Sequence, residues 1–247
     1  MENSSHMPLN VHKVTSDTPD LLEKLLHMFV DVFPHDARYV DYIRDCAYLP
    51  HQQTPLALVH QWLFEYQGEF VGFRLFNYLR HRNFGFSRYV GLLPQHRHHG
   101  FGRMIHQLSA RQIADDAKAL GHPVPLGLCG ELDHPDFAPN ETERQTRIAR
   151  IKIFRQWGNI ILEDLDYFEP YMIQGRSDGE VTEATELEPD RMLLYLFPIL
   201  PITQLTPEMM AQLASGILID NYRLDDDSWF VQKARASVNL HTAQFNR

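Results

Sequence analysis

Cysteine is scarce in this chain of 247 residues, which contains only Cys46 and Cys129. The two lie far apart in the sequence, so they give a disulfide framework or a cysteine-based zinc site little to build from. Long apolar runs are also missing, because the longest one, at positions 192–202, is too short for a membrane span and contains two prolines. The first residues lack the pattern of a signal peptide. We therefore expect a cytoplasmic protein with no membrane partner.

Positively charged residues are also scarce relative to negatively charged ones. Lysine and arginine together number 23 against 32 aspartates and glutamates, which gives a formal net charge of −9. A nucleic-acid-binding surface needs clustered lysine and arginine to neutralise phosphates, so no nucleic-acid partner is expected. Apolar residues, in contrast, make up 44% of the chain, and a chain of this length with that composition can bury one substantial core.

Hydrophobic periodicity predicts an alternation of strands and helices. It gives, in order, a short strand over 11–14, helices beginning at Pro19 and covering 37–46, strands over 56–66, 70–79 and 84–93, a helix over 102–120, a strand over 125–131, a helix over 143–157, and strands over 159–162 and 192–197. This order indicates an α+β fold in which helices flank a mixed, mostly antiparallel central sheet.

Two further helices are predicted after the last strand. Thr206 followed by Pro207 is a strong helix start, and residues 228–240 also have a helical pattern. We therefore expect a main domain over residues 8–200 and a C-terminal helical extension over 201–247. The extension either packs on the main domain or forms the contact of a homodimer.

An acidic segment lies between the last two strands. Residues 163–190 contain ten acidic side chains and one arginine, Arg176. Such a charge run is typical of a solvated loop. The alternative is a rim that attracts a cationic substrate.

The stretch LLPQHRHHGFGRM, from Leu92 to Met104, combines histidines, arginines and two glycines between a strand and a helix. Its histidines do not point to a metal, because three lie on one turn, the fourth is one to two helical turns further on, and no carboxylate or thiolate is interleaved. A glycine turn that enters a helix is typical of phosphate binding, since the first amides of a helix lack internal partners and the helix dipole is positive there.

The spacing of Arg97, Gly100 and Gly102 resembles the R/Q-x-x-G-x-G/A loop of the GNAT superfamily of acyl-CoA-dependent N-acyltransferases. The element order from about Val11 to Phe197 is similar to that of the family. The string ARIKIFRQWGN also resembles its later helix, which ends at a glycine. The resemblance covers about three quarters of the chain.

This resemblance implies acetyl-CoA or a related acyl-CoA as co-substrate, with no metal. It implies that the strand ending at Leu93 binds the pantetheine arm, that the amides from 97 to 103 bind the diphosphate, and that the strand containing Cys129 splays away from the one containing Val90 to leave a notch for the thioester. The cofactor-binding residues are then Leu92, Leu93, Arg97, His98, His99, Gly100, Phe101, Gly102, Arg103 and Phe154.

The implied reaction is direct attack by a primary amine, on a small molecule or a lysine side chain, on the acyl carbonyl. Many family members carry a tyrosine four residues before the helix-ending glycine as general acid, and here that position is Phe154. Tyr167 or Tyr171 is expected to substitute for it, unless water does. Each of these tyrosines has the alternative role of packing at a sheet edge.

For the general base the first candidate is Glu131, at the end of the splayed strand, with His134 as the second. The alternative for Glu131 is a structural carboxylate. Because Phe154 lacks a hydroxyl, a second function also stays open, namely a catalytically weak acyl-CoA-binding sensor or regulatory module of the same fold.

Overall fold

The structure is a computed structural model that describes residues 9–97, 99–170, 190–202 and 205–245, with only the backbone over 239–245. Seven strands form a single sheet in the order β1-β2-β3-β4-β5-β7-β6. The strands are β1 Asn10–Lys13, β2 Ala57–Tyr66, β3 Glu69–Leu79, β4 Phe84–Leu92, β5 Gly127–Asp133, β6 Ile160–Glu169 and β7 Asp190–Pro198. Among the described strands, only the β4–β5 pair is parallel. The mixed, mostly antiparallel sheet predicted from the sequence is confirmed.

Helices flank the sheet as the periodicity predicts. They are α1 Pro19–Val32, α2 Val40–Ala47, α3 Phe101–Ala119, α4 Glu141–Gln156, α5 Pro207–Gly216 and α6 Trp229–Phe245. Short 3-10 turns precede several of them, including Pro34–Tyr39 ahead of α2, and α5 continues into one π turn, Ile217–Asn221. No helix in the described part of the chain is long and apolar enough to cross a membrane.

Both faces of the sheet are covered. On one face, Phe29 of α1 packs against Phe73 and Leu75 of β3. On the opposite face, Ile105 of α3 packs against Phe64 of β2. Helix α4 lies on the same face of the sheet as α3.

The C-terminal helices lie on the α1 side of the sheet. Asn77 of β3, two residues beyond Leu75 and therefore on the same face, donates a hydrogen bond to Asn221 at 2.9 Å. Leu213 of α5 and Val231 of α6 belong to the same buried cluster as Leu194 of β7. The C-terminal segment is thus packed on the sheet and shares its core.

The acidic segment differs in part from its prediction as a loop. Strand β6 runs on to Glu169, well past the predicted end at position 162, because Leu165 and Tyr167 are buried while Glu163 and Asp164 point to solvent. Its pairing with β7 is interrupted by an irregularity between Leu162 and Tyr167. Residues 171–189, with Tyr171 and Arg176, lie outside the described residues.

The predicted helix start at Thr206 is confirmed, since its side-chain oxygen accepts a hydrogen bond from the Met209 amide at 3.3 Å. We expect Thr206→Ala to lower the free energy of unfolding by about 1 kcal/mol, because an amide of the first turn loses its partner. The measurement is the midpoint of urea denaturation. Thr146→Ala inside α4 is the matched control, and its midpoint should not fall. Equal midpoints for Thr206→Ala and wild type would contradict the cap.

Candidate active site

The two central strands separate to form a notch. Parallel pairing of β4 with β5 consists of three residue pairs and ends at Ser87 and Gly130. Beyond that point β4 stays with β3 as far as Leu92, and β5 stays with β7 as far as Asp133. The gap between residues 88–92 of β4 and 131–133 of β5 is called the notch below. The splaying that the sequence resemblance implies is therefore present.

A β-bulge lies at the start of the notch. Leu75 of β3 pairs with Tyr89 and the next residue, Phe76, pairs with Ser87, so Arg88 has no opposing residue on β3. A bulge bends its strand and increases the local twist, and it is common beside active sites. It lies at the point where β4 departs from β5.

The glycine turn leads into α3 beside the notch. Gly100 has φ +78°, a left-handed conformation that favours glycine, and a Cβ there would meet no atom within 4 Å. Gly102 is required for packing, because a Cβ there would lie 2.4 Å from the Trp157 ring of the α4 end. The first helical bond of α3 is donated by the Met104 amide. The amides of Phe101, Gly102 and Arg103 have no hydrogen-bond acceptor among the described residues, as is usual for the first turn of a helix.

The hydrogen bonds of the β4 backbone determine which of its groups face the notch. Leu93 donates its amide to Val71 of β3 at 3.0 Å, so alternation along the strand turns the Leu92 amide towards the notch. The Leu92 carbonyl accepts from Arg97 Nε at 3.2 Å, and the Arg97 amide bonds Pro94 at 3.3 Å. Of the predicted cofactor residues, Leu92 thus offers an amide to the notch, while the Leu93 and Arg97 amides have internal partners.

The remaining predicted cofactor residues surround the same turn, with His98 outside the described residues. His99 and Arg103 are exposed, and the His99 ring lies on Phe101 at 5.7 Å. Phe154 is buried on the α3 side, with its ring 5.2 Å from that of His106. Free helix amides, a glycine without steric neighbours and the exposed Arg97 and Arg103 side chains together fit a diphosphate group.

The other side of the notch holds carboxylates. Glu131 lies on the α1 face, because alternation along β5 places it with Cys129, and it is partly exposed. One of its oxygens accepts a hydrogen bond from the Tyr167 hydroxyl and the other accepts from Tyr222 at 2.8 Å. Burial raises the pKa of Glu131 to about 7, against the smaller lowering effects of the two tyrosines and Arg88.

A second carboxylate shares the Tyr222 hydroxyl, which lies 3.1 Å from Glu169 Oε1. Burial raises the pKa of Glu169 well above its usual value, and the negative charge of Glu131 adds to this effect. Asp36 and Asp133 contribute in the same direction. We call Asp36, Glu131, Asp133 and Glu169 the acceptor-side carboxylates. Because their raised pKa values keep Glu131 and Glu169 from ionising together, and Asp133 pairs with Arg150 at 2.7 Å, the group carries only part of its full negative charge.

The predicted catalytic residues are therefore brought together in part. Tyr167 is buried and its hydroxyl donates to Glu131, so it contacts the proposed base. His134 caps a 3-10 turn, with its Nδ1 accepting from the Asp136 amide at 3.2 Å. Tyr171 lies outside the described residues. No group of three metal-binding side chains converges within the described ranges.

Sequence reasoning misses Glu169 and Tyr222, which join Glu131. Glu169 is one of the ten acidic residues of 163–190 and nothing in the sequence distinguishes it, while Tyr222 belongs to the predicted extension, whose position no local pattern gives. It also misses Arg74, a charged residue inside the apolar run FVGFRLFNYL. The sequence could have indicated Arg74, because arginine is rarely fully buried and therefore stands out within an apolar strand.

Comparison with known proteins shows similarity in structure only. No family model and no curated protein sequence matches the chain. A solved structure described as an acetyltransferase of the GNAT family from Bacteroides thetaiotaomicron has 15% identity and a TM-score of 0.52, and the match covers 87% of this chain and 99% of that one. Arabidopsis thaliana NAA60 in complex with acetyl-CoA has 13% identity and a TM-score of 0.46, covering 77% and 98%.

These identities are too low to transfer an activity. The Bacteroides match nevertheless spans nearly the whole of that chain, and it agrees with the seven-stranded sheet and flanking helices described above. The resemblance noted in the glycine turn is thereby confirmed at the level of architecture: the chain has the fold of the GNAT superfamily.

Proposed function

We propose that the protein is an N-acyltransferase that moves an acetyl or other short acyl group from acyl-CoA to a primary amine. The observation that carries the proposal is the notch, with the glycine turn and the free α3 amides on one face of the sheet and the Glu131 carboxylate on the other. A donor and an acceptor approaching from opposite faces meet there.

The donor side of the proposal uses backbone groups. Acyl-CoA supplies a thioester, whose thiolate is a fair leaving group. The amides of Phe101, Gly102 and Arg103 bind its diphosphate at the positive end of the α3 dipole. The Leu92 amide faces the notch and donates to the pantetheine arm or the acyl carbonyl. These groups hold the thioester in the orientation that the attack requires.

The acceptor side uses Glu131 as general base. The attacking amine must be neutral, so a proton has to leave it before or during the attack. A carboxylate with a pKa of about 7 is well matched to that task near neutral pH. The hydroxyls of Tyr167 and Tyr222 hold its two oxygens in place. Those acceptor-side carboxylates that are ionised favour a cationic amine, such as a polyamine, an aminoglycoside-like compound or a lysine side chain.

The test is a thiol-release assay with purified protein, acetyl-CoA and a panel of these amines. We expect release of free CoA thiol that depends on the presence of an amine. Binding of acyl-CoA with no turnover across the panel would favour the sensor instead, a function for which the missing hydroxyl at Phe154 is the supporting observation. If calorimetry detects no binding of any CoA species, both functions are wrong.

A further inference from the structure

Arg74 of β3 is fully buried, and no acidic partner for it exists in the part of the chain that the structure describes. Its Nε and Nη2 atoms have no hydrogen-bond partner, and no acidic side chain within the described ranges pairs with it. Its polar neighbours are neutral. One is the hydroxyl of Tyr195, and the other is His106, whose Nδ1 lies 3.4 Å from Nη1 and is also 3.1 Å from the Gly102 carbonyl. A guanidinium in such surroundings destabilises a protein unless an anion joins it.

The position of Arg74 relates it to the notch. In the sheet, β4 and β5 lie between β3 and β7, so the contact of Arg74 with Tyr195 of β7 crosses both central strands. The Tyr195 hydroxyl bonds Ser87 and lies 2.5 Å from the place of a Cβ on Gly130. Ser87 and Gly130 are the last pair before the two strands separate. Arg74 and Tyr195 therefore form the floor of the notch on the α3 side.

Phe154 lies at the same place. Its ring is 4.8 Å from that of Tyr195, and both rings pack around His106. The floor of the notch thus contains the Arg74 guanidinium, which has unused hydrogen-bond donors, and aromatic rings beside it. An apolar acyl end such as acetyl would leave Nε and Nη2 of Arg74 without partners.

We propose that the floor of the notch is an anion subsite for the terminal carboxylate of a short dicarboxylic acyl group, so that the acyl donor is a carboxyacyl-CoA such as the malonyl, succinyl or glutaryl thioester. The acyl group must be short because the strands pair again at Ser87 and Gly130. The inference rests on the proposed function and specifies its donor.

The chemical step is unchanged by this choice. The amine nitrogen attacks the thioester carbon, a C–N bond forms and the C–S bond breaks. The thiolate leaves with the bonding electrons, and the proton from the amine goes to Glu131. The far carboxylate takes no part in bond making. It pairs with the Arg74 guanidinium and positions the carbonyl, through hydrogen bonds that salt screens little because they are buried.

The test is binding without an amine, measured by calorimetry. Malonyl-, succinyl- and glutaryl-CoA are compared with acetyl-CoA and with butyryl-CoA, which has the carbon count of the succinyl thioester without its charge. We expect at least one carboxyacyl-CoA to bind about tenfold or more tightly than both neutral thioesters. Equal binding, or tighter binding of acetyl-CoA, overturns the inference and leaves the proposed function standing. Absence of binding by all five thioesters overturns the proposed function itself.

Two variants test whether Arg74 binds the ligand or serves only the structure of the protein. Arg74→Met should abolish the preference for the carboxyacyl thioester. The control is Arg80→Met, which removes an arginine just beyond the far end of β3, and it should keep the preference. A preference that survives Arg74→Met contradicts the inference.

Stability gives an independent readout for the same variant. If Arg74 serves only the ligand, Arg74→Met should melt at the wild-type temperature or above, because an unpaired charge is replaced by an apolar side chain of similar size. A large loss of thermal stability assigns Arg74 a structural role and counts against the subsite. Should that variant fail to fold, the wild-type comparison of thioesters still decides the question.

Discussion

Glu131→Gln is expected to lower kcat/KM by about 100-fold to 10,000-fold, the usual contribution of a positioned general base. The amide keeps the size of the carboxyl group but cannot accept a proton from the amine. In the wild type, activity should rise as the pH passes about 7, because burial raises the pKa of Glu131 to that value and only its ionised form acts as a base. The variant should lose this rise. The measurement is kcat/KM across the pH range.

Glu163→Gln is the matched control, since Glu163 is exposed on β6 and pairs with Arg155 at 2.6 Å. Its pH profile should follow that of the wild type. An unchanged profile in Glu131→Gln would remove Glu131 from the mechanism.

Glu131→Gln should also change how the stability of the protein depends on pH. A carboxyl group whose pKa is raised by folding stabilises the folded state below its unfolded pKa, and this contribution is lost as the pH rises through about 7. The glutamine variant has no such loss. It should therefore be no less stable than the wild type in mildly alkaline solution.

Gly100→Asp is expected to raise the Kd for CoA by about 100-fold. A carboxylate about 5 Å from the bound diphosphate costs about 3 kcal/mol at the effective dielectric of a protein surface. The substitution fits sterically, because a Cβ at Gly100 meets no atom within 4 Å and aspartate tolerates the left-handed backbone there. The measurement is the Kd for CoA by calorimetry.

Two control variants separate the effect of the added charge from the effect of the added side chain. Gly100→Asn has the same shape and the same backbone requirement without the charge, so its Kd should rise much less. Gly121→Asp places the same side chain at another left-handed glycine with free space, at the far end of α3, and should leave the Kd unchanged. Equal affinities of the Gly100→Asp and Gly100→Asn variants for CoA would mean that no diphosphate lies at this turn.

Much of the fold could be predicted from the sequence because its signals are local. Helix α1 is indicated by apolar residues at helical spacing after Pro19, and α5 by its cap at Thr206. Strand β6 could be predicted only in part. Charged residues interrupt its apolar positions, so its pattern resembles a solvated loop, and only pairing with β7 makes it a strand.

The site could be predicted on the side where a local motif exists. Gly100 and Gly102 lie together in the sequence, and their spacing points to the α3 amides. Glu131 could be proposed only from its place at a strand end, while Glu169 and Tyr222 come from distant segments that meet through packing alone. Their contact depends on the way β6 and the C-terminal helices fold onto the sheet, which no short-range pattern records.

Tyr222 lies 91 residues after Glu131 and 53 after Glu169, yet its hydroxyl bridges the two carboxylates. During synthesis on the ribosome, the glycine turn and the central strands emerge first. The carboxylate pair gains its shared hydroxyl only when the segment that carries Tyr222 has left the exit tunnel and docked. Under the proposed function, the ability to bind the acyl donor and the ability to deprotonate the acceptor would thus arise at separate moments in the life of each newly made molecule.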